Sequence, residues 1–355
     1  MSRIHLVVLY GGQSAEHDVS CSTASHVLAA IDPARYRVTP IGISTSGEWA
    51  LGEAAQIALA AGPAALPERL DPSGPAVSAS EVLAAGADDE VTVVWPLLHG
   101  PMGEDGTVQG MLELANVAYV GGGVLGSALA MDKAMAKQVL AANGIAQARF
   151  RALREDRLDP STAATLADEL GLPCFVKPSN MGSSVGVSKA HDLDELSRAI
   201  EYALSYDEWV VVEEAVVGRE IEVAVLGGTD PIASPAGEIV PGEEFYSYED
   251  KYVTDGATLL IPAPLADAAS DEVRALAVRV FEVLRGEGLA RIDFFYDEGG
   301  RGFLCNEANT MPGFTPISMY PKLWQAAGLS YPALVDRLVE LAVERAHRRR
   351  RNTKH

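Results

Sequence analysis

Residues 291–313, RIDFFYDEGGRGFLCNEANTMPG, consist of two apolar runs joined by the turn sequence Asp297–Gly300. This pattern predicts a β-hairpin. Each run carries two polar residues, two positions apart, where core residues would be expected: Arg291 and Asp293, then Glu307 and Asn309. Because side chains alternate between the two faces of a strand, each polar pair shares one face of its own strand.

The four polar side chains converge only if the hairpin register brings those two faces together. A three-residue loop, Glu298–Gly300, gives that register, whereas a four-residue loop does not. Two carboxylates and an amide are oxygen ligands that suit Mg²⁺ held beside nucleotide phosphates. The hairpin therefore predicts a metal site. The alternative is an edge hairpin with solvated charges, in which Arg291 pairs with Asp293.

Chain length and net charge restrict the class of protein. A chain of 355 residues exceeds a usual single core, so two or three domains are expected. The formal net charge of −21 argues against nucleic-acid binding, because a polyanion would be repelled. The exception is the basic tail at residues 345–355, RAHRRRRNTKH, which we interpret as a frayed, solvated terminus.

Cysteine spacing and hydropathy indicate the compartment. Cys21, Cys174 and Cys305 lie far apart and match no metal-ligand spacing, which suits a reducing environment. The apolar run at the start is too short for a signal peptide, and no apolar segment reaches membrane-spanning length. We therefore expect a cytoplasmic protein without a membrane partner.

Two strand–glycine–helix units near the start predict the ligand-facing edge of an open α/β sheet. In the first, the buried strand Ile4–Leu9 runs into GGQSAEHDVS, with Glu16 in the connection. In the second, the strand Val91–Leu98 runs into HGPMGEDG, with His99 and Glu104 beyond its carboxyl end. Acids often only complement a helix dipole, but three such groups at one edge favour a functional site.

The middle of the chain is rich in lysine and glycine. Residues 124–143 have the spacing of one helix, on which Lys133 and Lys137 lie one turn apart. One of them can reach a phosphate, and two solvated lysines are the alternative. Residues 173–188, PCFVKPSNMGSSVGVS, place Lys177 before a glycine–serine loop whose backbone N–H groups can close over phosphate oxygens. The loop lacks the P-loop pattern.

Residues 241–256, PGEEFYSYEDKYVTDG, form a polar loop that is too aromatic for a simple linker. We interpret its tyrosines and lysine as part of a lid over a site: Tyr246, Tyr248, Lys251 and Tyr252.

The order of these motifs resembles that of the D-alanine–D-alanine ligases of the ATP-grasp superfamily, from Ile4 to about Leu341. Eight pieces carry the resemblance: GGQSAEHDVS, HGPMGEDGTVQG, MDK, VKPSNMGSSVGVSK, VEEAVVGREIEVAVLG, FYSYEDKY, RIDFF and NEANTMPGFTPIS. Each piece alone is a weak or moderate signal, whereas eight in one order are a strong one.

The resemblance implies a fold of the α/β and α+β classes, with a Rossmann-like N-terminal domain followed by a two-part ATP-grasp fold. The implied domains are residues 1–125, a central subdomain at 126–216 and a C-terminal subdomain at 217–345. A basic tail at 346–355 is expected to be disordered. The resemblance also implies a homodimer.

It further implies that ATP binds between the central and C-terminal subdomains. The implied phosphate contacts are Lys133, Lys177, Lys251 and the loop containing Ser183 and Ser184. Glu213 would bind the adenine amino group, the backbone of Glu214 through Val216 would frame the base, and Glu220 would hold the ribose. Asp293, Glu307 and Asn309 would hold two Mg²⁺ ions, for which Mn²⁺ can substitute.

The implied reaction joins two D-alanine molecules through an acylphosphate, for peptidoglycan precursor synthesis. Arg291 and the backbone N–H of Gly313 would stabilise the oxyanion. Glu16 would bind the ammonium of the first D-alanine, with His99 helping to orient it. The second carboxylate would be received by Ser318 and the backbone of Met319. Tyr252 and Ser183 would link the lid to Glu16.

Family members often have lysine at the position of Glu214, so the resemblance supports only backbone contacts to the base there. Three rivals stay open at the level of sequence. The chain can be a ligase that uses D-lactate, a ligase that uses D-serine, or a nucleotide-binding relative without catalysis. The residue Tyr252 favours the dipeptide-forming activity.

Overall fold

The computed structural model describes residues 3–84, 91–240 and 258–349. Within them, the strands form an N-terminal, a central and a C-terminal sheet. The predicted combination of α/β and α+β classes is confirmed, because the first sheet is mainly parallel and the other two are antiparallel.

The N-terminal sheet has the strand order β3-β2-β1-β4-β5. Its strands are β1 (Ile4–Gly11), β2 (Tyr36–Ile43), β3 (Trp49–Leu51), β4 (Thr92–Pro96) and β5 (Ala118–Tyr119). The helices of this region are α1 (His17–Ala30), α2 (Glu53–Ala61), α3 (Ala79–Ala84) and α4 (Thr107–Leu114). Only β3 pairs antiparallel.

Apart from His5, the strand β1 is apolar, as expected for a strand with both of its faces covered. Leu6 and Val8 pack into one apolar core with α1, whereas Val7 and Leu9 pack into another with α4. Glu16 and His99 therefore follow neighbouring parallel strands, at the edge where the sequence predicts a ligand.

The central sheet has the order β6-β9-β7-β8. Its strands are β6 (Phe150–Arg154), β7 (Cys174–Pro178), β8 (Ser188–Ala190) and β9 (Trp209–Glu214), and its helices are α7 (Thr162–Leu170) and α8 (Leu193–Leu204). An apolar core between this sheet and its helices includes Val176, Leu196 and Val212.

The single helix predicted for residues 124–143 is wrong. Two helices occupy this stretch, α5 (Val124–Met131) and α6 (Lys133–Ala142). Asp132 separates them in an extended conformation, and its carboxylate accepts a hydrogen bond from the Met135 N–H at 2.9 Å. This N-cap starts a new helix, so that Lys133 lies at its first position.

The C-terminal sheet has the order β12-β11-β10-β13-β14. Its strands are β10 (Arg219–Gly227), β11 (Ile232–Val240), β12 (Thr258–Leu260), β13 (Gly288–Asp297) and β14 (Gly302–Asn309). The helices that follow or cover it are α9 (Asp267–Val283), α10 (Met319–Ala326) and α11 (Tyr331–Arg348).

The predicted three-residue hairpin loop is wrong. Asp297 pairs with Gly302, so four residues, Glu298–Arg301, connect β13 and β14. With regular alternation from that loop, Glu307 and Asn309 would share the core-facing side of β14 with Phe303.

A β-bulge restores the convergence that the sequence predicts. The register shifts between Cys305 and Glu307, so that Asn306 is an extra residue in β14. Beyond it, Asp293 pairs with Glu307 and Arg291 pairs with Asn309. The polar faces of β13 and β14 therefore lie on the same side of the sheet, as predicted. The bulge produces this register, whereas the prediction attributed it to the length of the loop.

The helix α11 continues to Arg348, so the first residues of the predicted tail at 346–355 are helical, and residues 350–355 lie outside the described part. Its buried Arg345 lies 3.9 Å from the ring centroid of Tyr119 and ties α11 to the N-terminal sheet. In the part of the chain that the structure describes, no helix combines the length and hydropathy required to cross a membrane.

Phe314 joins the N-terminal sheet to the C-terminal helices. Its fully buried ring lies 5.6 Å from the ring of Trp95, 5.8 Å from that of Tyr320 and 5.5 Å from that of Tyr331. Tyr331 donates a hydrogen bond to the Phe314 carbonyl at 2.6 Å. Aromatic rings from three elements therefore meet around one side chain.

Phe314→Ala is expected to lower the free energy of unfolding by about 3–5 kcal/mol, because it opens a cavity among these rings. Urea unfolding followed by tryptophan fluorescence measures the change. The control is Ile57→Ala on α2, where the side chain is 71% exposed and the effect should stay within about 0.5 kcal/mol. Equal effects in both variants would contradict the central place of Phe314.

Candidate active site

A row of three carboxylates crosses neighbouring strands of the C-terminal sheet. Glu222 on β10 lies opposite Asp293 on β13, which in turn lies opposite Glu307 on β14. Glu222 and Asp293 are buried. Sequence reasoning did not select Glu222, although its spacing of two residues from Glu220 in an apolar strand is the signal that could have found it.

Arg291 balances the charge of this row. Its Nε and Nη2 donate to Asp293 Oδ1 and Oδ2 at 2.8 and 2.7 Å, and its Nε lies 3.1 Å from Glu222 Oε2. Burial alone would lower the pKa of Arg291, but the charges of Asp293 and Glu222 outweigh it and raise that pKa. The ion pair between Arg291 and Asp293, which the alternative interpretation predicts, is thus present, but it is buried and Arg291 shares it with a second carboxylate, Glu222.

Asn309 completes the polar face of the hairpin by donating from Nδ2 to Asp293 Oδ2 at 2.9 Å. Among the described residues, no three His, Cys, Asp or Glu side chains are arranged to hold a metal ion. The predicted set of Asp293, Glu307 and Asn309 consists of two carboxylates and an amide. Its oxygen chemistry fits Mg²⁺, which binds through few protein ligands and keeps other positions for water and phosphate.

A second charge cluster lies where the central sheet faces the hairpin. Glu213, on β9, is buried and lies 3.3 Å from Lys137 Nζ and 3.2 Å from Lys177 Nζ. Burial raises the pKa of Glu213, but the two ammonium groups outweigh that effect and hold the pKa below its usual value. Lys177 Nζ also lies 3.3 Å from the Oδ1 atom of Asn306, the extra residue of the bulge.

The glycine–serine loop contacts both Lys133 and the N-terminal domain. Lys133 Nζ donates to the Met181 carbonyl at 2.5 Å, and the Ser183 hydroxyl donates to Glu16. The backbone of Ser183 and Ser184 is left-handed, with φ values of 48° and 60°, which are uncommon for residues other than glycine. The loop is therefore held over Glu16 by specific contacts.

Two glycines leave room for the carboxylate of Glu16. A Cβ atom on Gly100 would lie 2.7 Å from Glu16 Oε2, and one on Gly182 would lie 2.8 Å from the same atom. The predicted ammonium-binding side chain is thus buried between the loop after β4 and the glycine–serine loop.

His99 and Glu104 hold the backbone of Met311 from both sides. His99 Nδ1 donates to the Met311 carbonyl at 3.1 Å, and Glu104 Oε2 accepts from the Met311 N–H at 3.2 Å. Burial lowers the pKa of His99, and this effect outweighs the charge of Glu16, which acts in the opposite direction. Burial, together with Glu16, raises the pKa of Glu104 to about 8. His99 therefore has a backbone partner in addition to any substrate contact.

The predicted second-substrate end lies at the start of α10. Ser318 is the N-cap residue of this helix, and Met319 is its buried first residue. A Cβ atom on Gly313 would lie 3.1 Å from Ser318 Oγ. Gly313 and Ser318 are thus close together, and Met319 follows Ser318 directly.

The side chain of Glu214 points to arginines. Arg149 donates to its carboxylate from the backbone N–H at 2.8 Å and from Nε at 2.7 Å, and Arg301 donates from Nη1 at 2.5 Å. Glu214 therefore links the start of the central sheet to the hairpin turn. Sequence reasoning missed both arginines, because neither belongs to a motif. Val216 and Glu220 are half-buried nearby in sequence, whereas Lys251 and Tyr252 lie outside the described residues.

The pKa of Lys133 depends on charged side chains from several parts of the chain. Burial lowers its pKa, while the charges of Glu307, Glu213 and Glu104 raise it and that of Lys177 lowers it further. Residues of the central and C-terminal sheets and of the loop after β4 therefore act on one ammonium group.

Comparisons with known proteins agree over nearly the whole chain. The family model described as “D-ala D-ala ligase N-terminus” matches residues 5–122, and the one described as “D-ala D-ala ligase C-terminus” matches residues 139–340. The chain is 46% identical to a D-alanine–D-alanine ligase of Geobacillus kaustophilus, covering 95% of this chain and 94% of that one. It is 44% identical to D-alanine–D-alanine ligase A of Chromobacterium violaceum, with 97% and 96% coverage.

Solved structures agree with the sequence relatives. The D-alanine–D-alanine ligase of Coxiella burnetii superposes with a TM-score of 0.82 at 36% identity, covering 98% of this chain and 95% of that one. The VanG D-Ala:D-Ser ligase of Enterococcus faecalis gives the same TM-score at 33% identity, with 96% and 100% coverage.

Glu214→Gln is expected to lower the thermal unfolding midpoint at pH 7, and the difference from the wild type should shrink as the pH falls. Burial raises the pKa of Glu214, but Arg301 and Arg149 outweigh it and lower that pKa from 4.5 to about 2. The ionised form is therefore stabilised above pH 4.5, and this stabilisation is lost as the pH falls through about 2. Calorimetry between pH 7 and pH 3 measures the trend.

Glu201→Gln on the exposed face of α8 is the matched control, with no change in the midpoint expected at any of these pH values. A Glu214→Gln difference that stays constant with pH would contradict a role for the ionised carboxylate.

Proposed function

This chain belongs to the D-alanine–D-alanine ligase family, and from that premise we propose how its residues carry out ATP-dependent ligation. The enzyme joins two D-alanine molecules to D-alanyl-D-alanine. The observation that carries the residue assignments is the buried face formed by Arg291, Asp293, Glu307 and Asn309. It supports both a metal site and an oxyanion donor within one hairpin.

The chemistry requires activation of a carboxylate. A carboxylate is a poor acylating agent, so the γ-phosphate of ATP is transferred to the first D-alanine to give an acylphosphate and ADP. The neutral amine of the second D-alanine then attacks the acyl carbon and the C–N bond forms. The bond between the acyl carbon and the phosphate oxygen breaks, phosphate leaves, and the nitrogen loses one proton to give the amide. We infer that Arg291 and the Gly313 N–H stabilise the oxyanion of this step. One such donor contributes about 3–4 kcal/mol.

Residues around the central sheet supply the proposed ATP site. Lys133 and Lys177 contact the phosphates, the loop with Ser183 and Ser184 closes over them, and Lys251 reaches the terminal phosphate. Glu213 receives the adenine amino group, the backbone of Glu214 through Val216 frames the base, and Glu220 holds the ribose. The ion pairs of Glu213 with lysine and of Glu214 with arginine support an ionised edge beside the base.

We further propose that Asp293, Glu307 and Asn309 hold two Mg²⁺ ions, with Mn²⁺ able to substitute. When bound, the ions spread the negative charge of the transferring phosphoryl group. The protein's own part is to keep the carboxylates ionised and oriented. The contacts of Asp293 with Arg291 and Asn309 support that part.

At the substrate end, Glu16 is proposed to bind the ammonium of the first D-alanine, with His99 orienting it. The second carboxylate is received by Ser318 and the backbone of Met319. The contact between Ser183 and Glu16 supports a coupling between closure of the phosphate loop and substrate binding. With Tyr252 on the lid, this closure would exclude water from the acylphosphate.

The domain division at residues 1–125, 126–216 and 217–345, a homodimer and a cytoplasmic place in peptidoglycan precursor synthesis are parts of the same proposal. The three separate sheets support the division. A D-serine ligase is the second candidate, because the D-Ala:D-Ser ligase of Enterococcus faecalis superposes equally well. The sequence relatives near 45% identity favour D-alanine.

The purified protein is expected to release one ADP per dipeptide when given ATP, Mg²⁺ and D-alanine. With D-alanine plus D-lactate or D-serine at neutral pH, mixed products should form at least about 10-fold more slowly. A coupled ADP assay with mass spectrometry of the products measures both rates. Faster formation of a mixed product would change the assigned second substrate, and the absence of ADP release would contradict ligase activity.

Glu307→Gln is expected to reduce turnover by roughly 100-fold or more while the fold is kept. Even residues behind metal ligands change activity by about 10–100-fold, and a direct ligand should matter at least as much. Steady-state kinetics and circular dichroism provide the two readouts. The control is Glu298→Gln in the turn of the same hairpin, where the side chain is 63% exposed. Unchanged turnover in Glu307→Gln would remove the metal assignment.

A further inference from the structure

Two lysines share one buried carboxylate beside the proposed adenine site. Lys137 on α6 lies 3.3 Å from Glu213 Oε1, and Lys177 on β7 lies 3.2 Å from Glu213 Oε2. The side chains of Lys137 and Glu213 are 2% and 3% exposed, whereas that of Lys177 is 13% exposed. The cluster thus contains one more positive than negative charge, although each charge is costly to bury.

The two lysines differ in what else they can reach. The ammonium of Lys137 lies 5.5 Å from the centroid of the Phe150 ring, which is a cation–π contact inside the protein. Lys177 also contacts Asn306 on the hairpin that carries the proposed metal ligands. Lys177 therefore stands between the carboxylate and the proposed phosphate site, and Lys137 stands behind the carboxylate.

Binding of a phosphate would draw Lys177 away from Glu213. If Lys177 were the sole counter-ion, its movement would leave a buried carboxylate without charge compensation, and this cost would oppose nucleotide binding. A second, fixed ammonium removes that cost. With two lysines, Glu213 keeps a counter-ion when Lys177 binds a phosphate, whereas with Lys177 alone it would not.

We propose that Lys137 is a positioning residue that acts as the permanent counter-ion of Glu213, so that Lys177 can move its ammonium to a nucleotide phosphate. The inference rests on the proposed roles of Glu213 and Lys177 in ATP binding. Lys137 itself touches neither nucleotide nor substrate. It keeps Glu213 ionised and aimed at the base throughout the catalytic cycle.

Lys137→Met tests this role, because methionine keeps an unbranched apolar side chain but lacks the charge. The KM for ATP should rise at least about 10-fold, since Lys177 is then held by Glu213. The KM for D-alanine should change less than about two-fold. Steady-state kinetics with each substrate varied in turn measures both values.

The double variant Lys137→Met with Glu213→Gln separates electrostatics from packing. Glutamine keeps an acceptor oxygen but needs no counter-ion, so the double variant should have a lower KM for ATP than Lys137→Met alone. A double variant that is as poor as Lys137→Met, or poorer, overturns the proposal. If Lys137→Met does not fold, the double variant must recover folded protein, and failure to do so overturns the proposal equally.

Two further variants complete the experiment. Arg345→Met removes a different buried cation, one that contacts Tyr119 and the Gly121 carbonyl, and it should lower the thermal unfolding midpoint while the KM for ATP stays within about two-fold. Lys177→Met should raise the KM for ATP. A raised value in Lys177→Met with a wild-type value in Lys137→Met overturns the counter-ion role alone, whereas unchanged values in both also overturn the proposed nucleotide role of Lys177.

Discussion

The β-bulge at Asn306 is the constraint on which the arrangement of the candidate active site depends. In β14, Phe303 and Cys305 face the apolar core. If the alternation stayed regular, Glu307 and Asn309 would face the same core. The extra residue reverses the order, so that Ala308 packs inward and Glu307 lies opposite Asp293. The same residue provides the contact to Lys177, which links the hairpin to the central sheet.

The charges that the bulge brings together are balanced within the protein. Arg291 lies among Asp293 and Glu222, and Glu213 lies between two lysines. Buried ions are stable only when they are paired and well hydrogen-bonded. Because each cluster has its own counter-ions, Arg291, Asp293, Glu213 and Lys137 can stay charged and fixed in a buried environment, while Lys177 is the member proposed to move. Groups fixed in this way need little reorganisation when charge develops during a reaction.

Much of this arrangement could be predicted from the sequence, and the exceptions have physical reasons. The apolar run of β1 and the alternation at Arg291 and Asp293 are local patterns, so the parallel strand and the polar face followed from them. The bulge did not, because it depends on how two strands twist around each other. Asp132 is a residue type that commonly caps the start of a helix, and it could have predicted the break between α5 and α6. It was missed because the apolar spacing continues on both sides of it.

Other contacts could not be predicted from the sequence because the two partners are distant in the chain. Glu213 and Lys137 are 76 positions apart, and their ion pair exists only once α6 packs against the central sheet. Arg301 meets Glu214 through the hairpin turn, again a tertiary contact. Glu222 differs, since alternation with Glu220 in β10 made it detectable in principle.

The hydrogen bonds to Met311 connect the loop after β4 of the N-terminal sheet to the segment that follows β14 of the C-terminal sheet. Both backbone groups of Met311 are held by His99 and Glu104. Met311 lies two residues after Asn309 and two before Gly313, and such a stretch spans at most about 13–15 Å. A fixed point in its middle therefore limits how far the proposed metal ligand and the proposed oxyanion donor can move apart. His99 and Glu104 thus restrain the segment between the two groups, although they contribute neither of them.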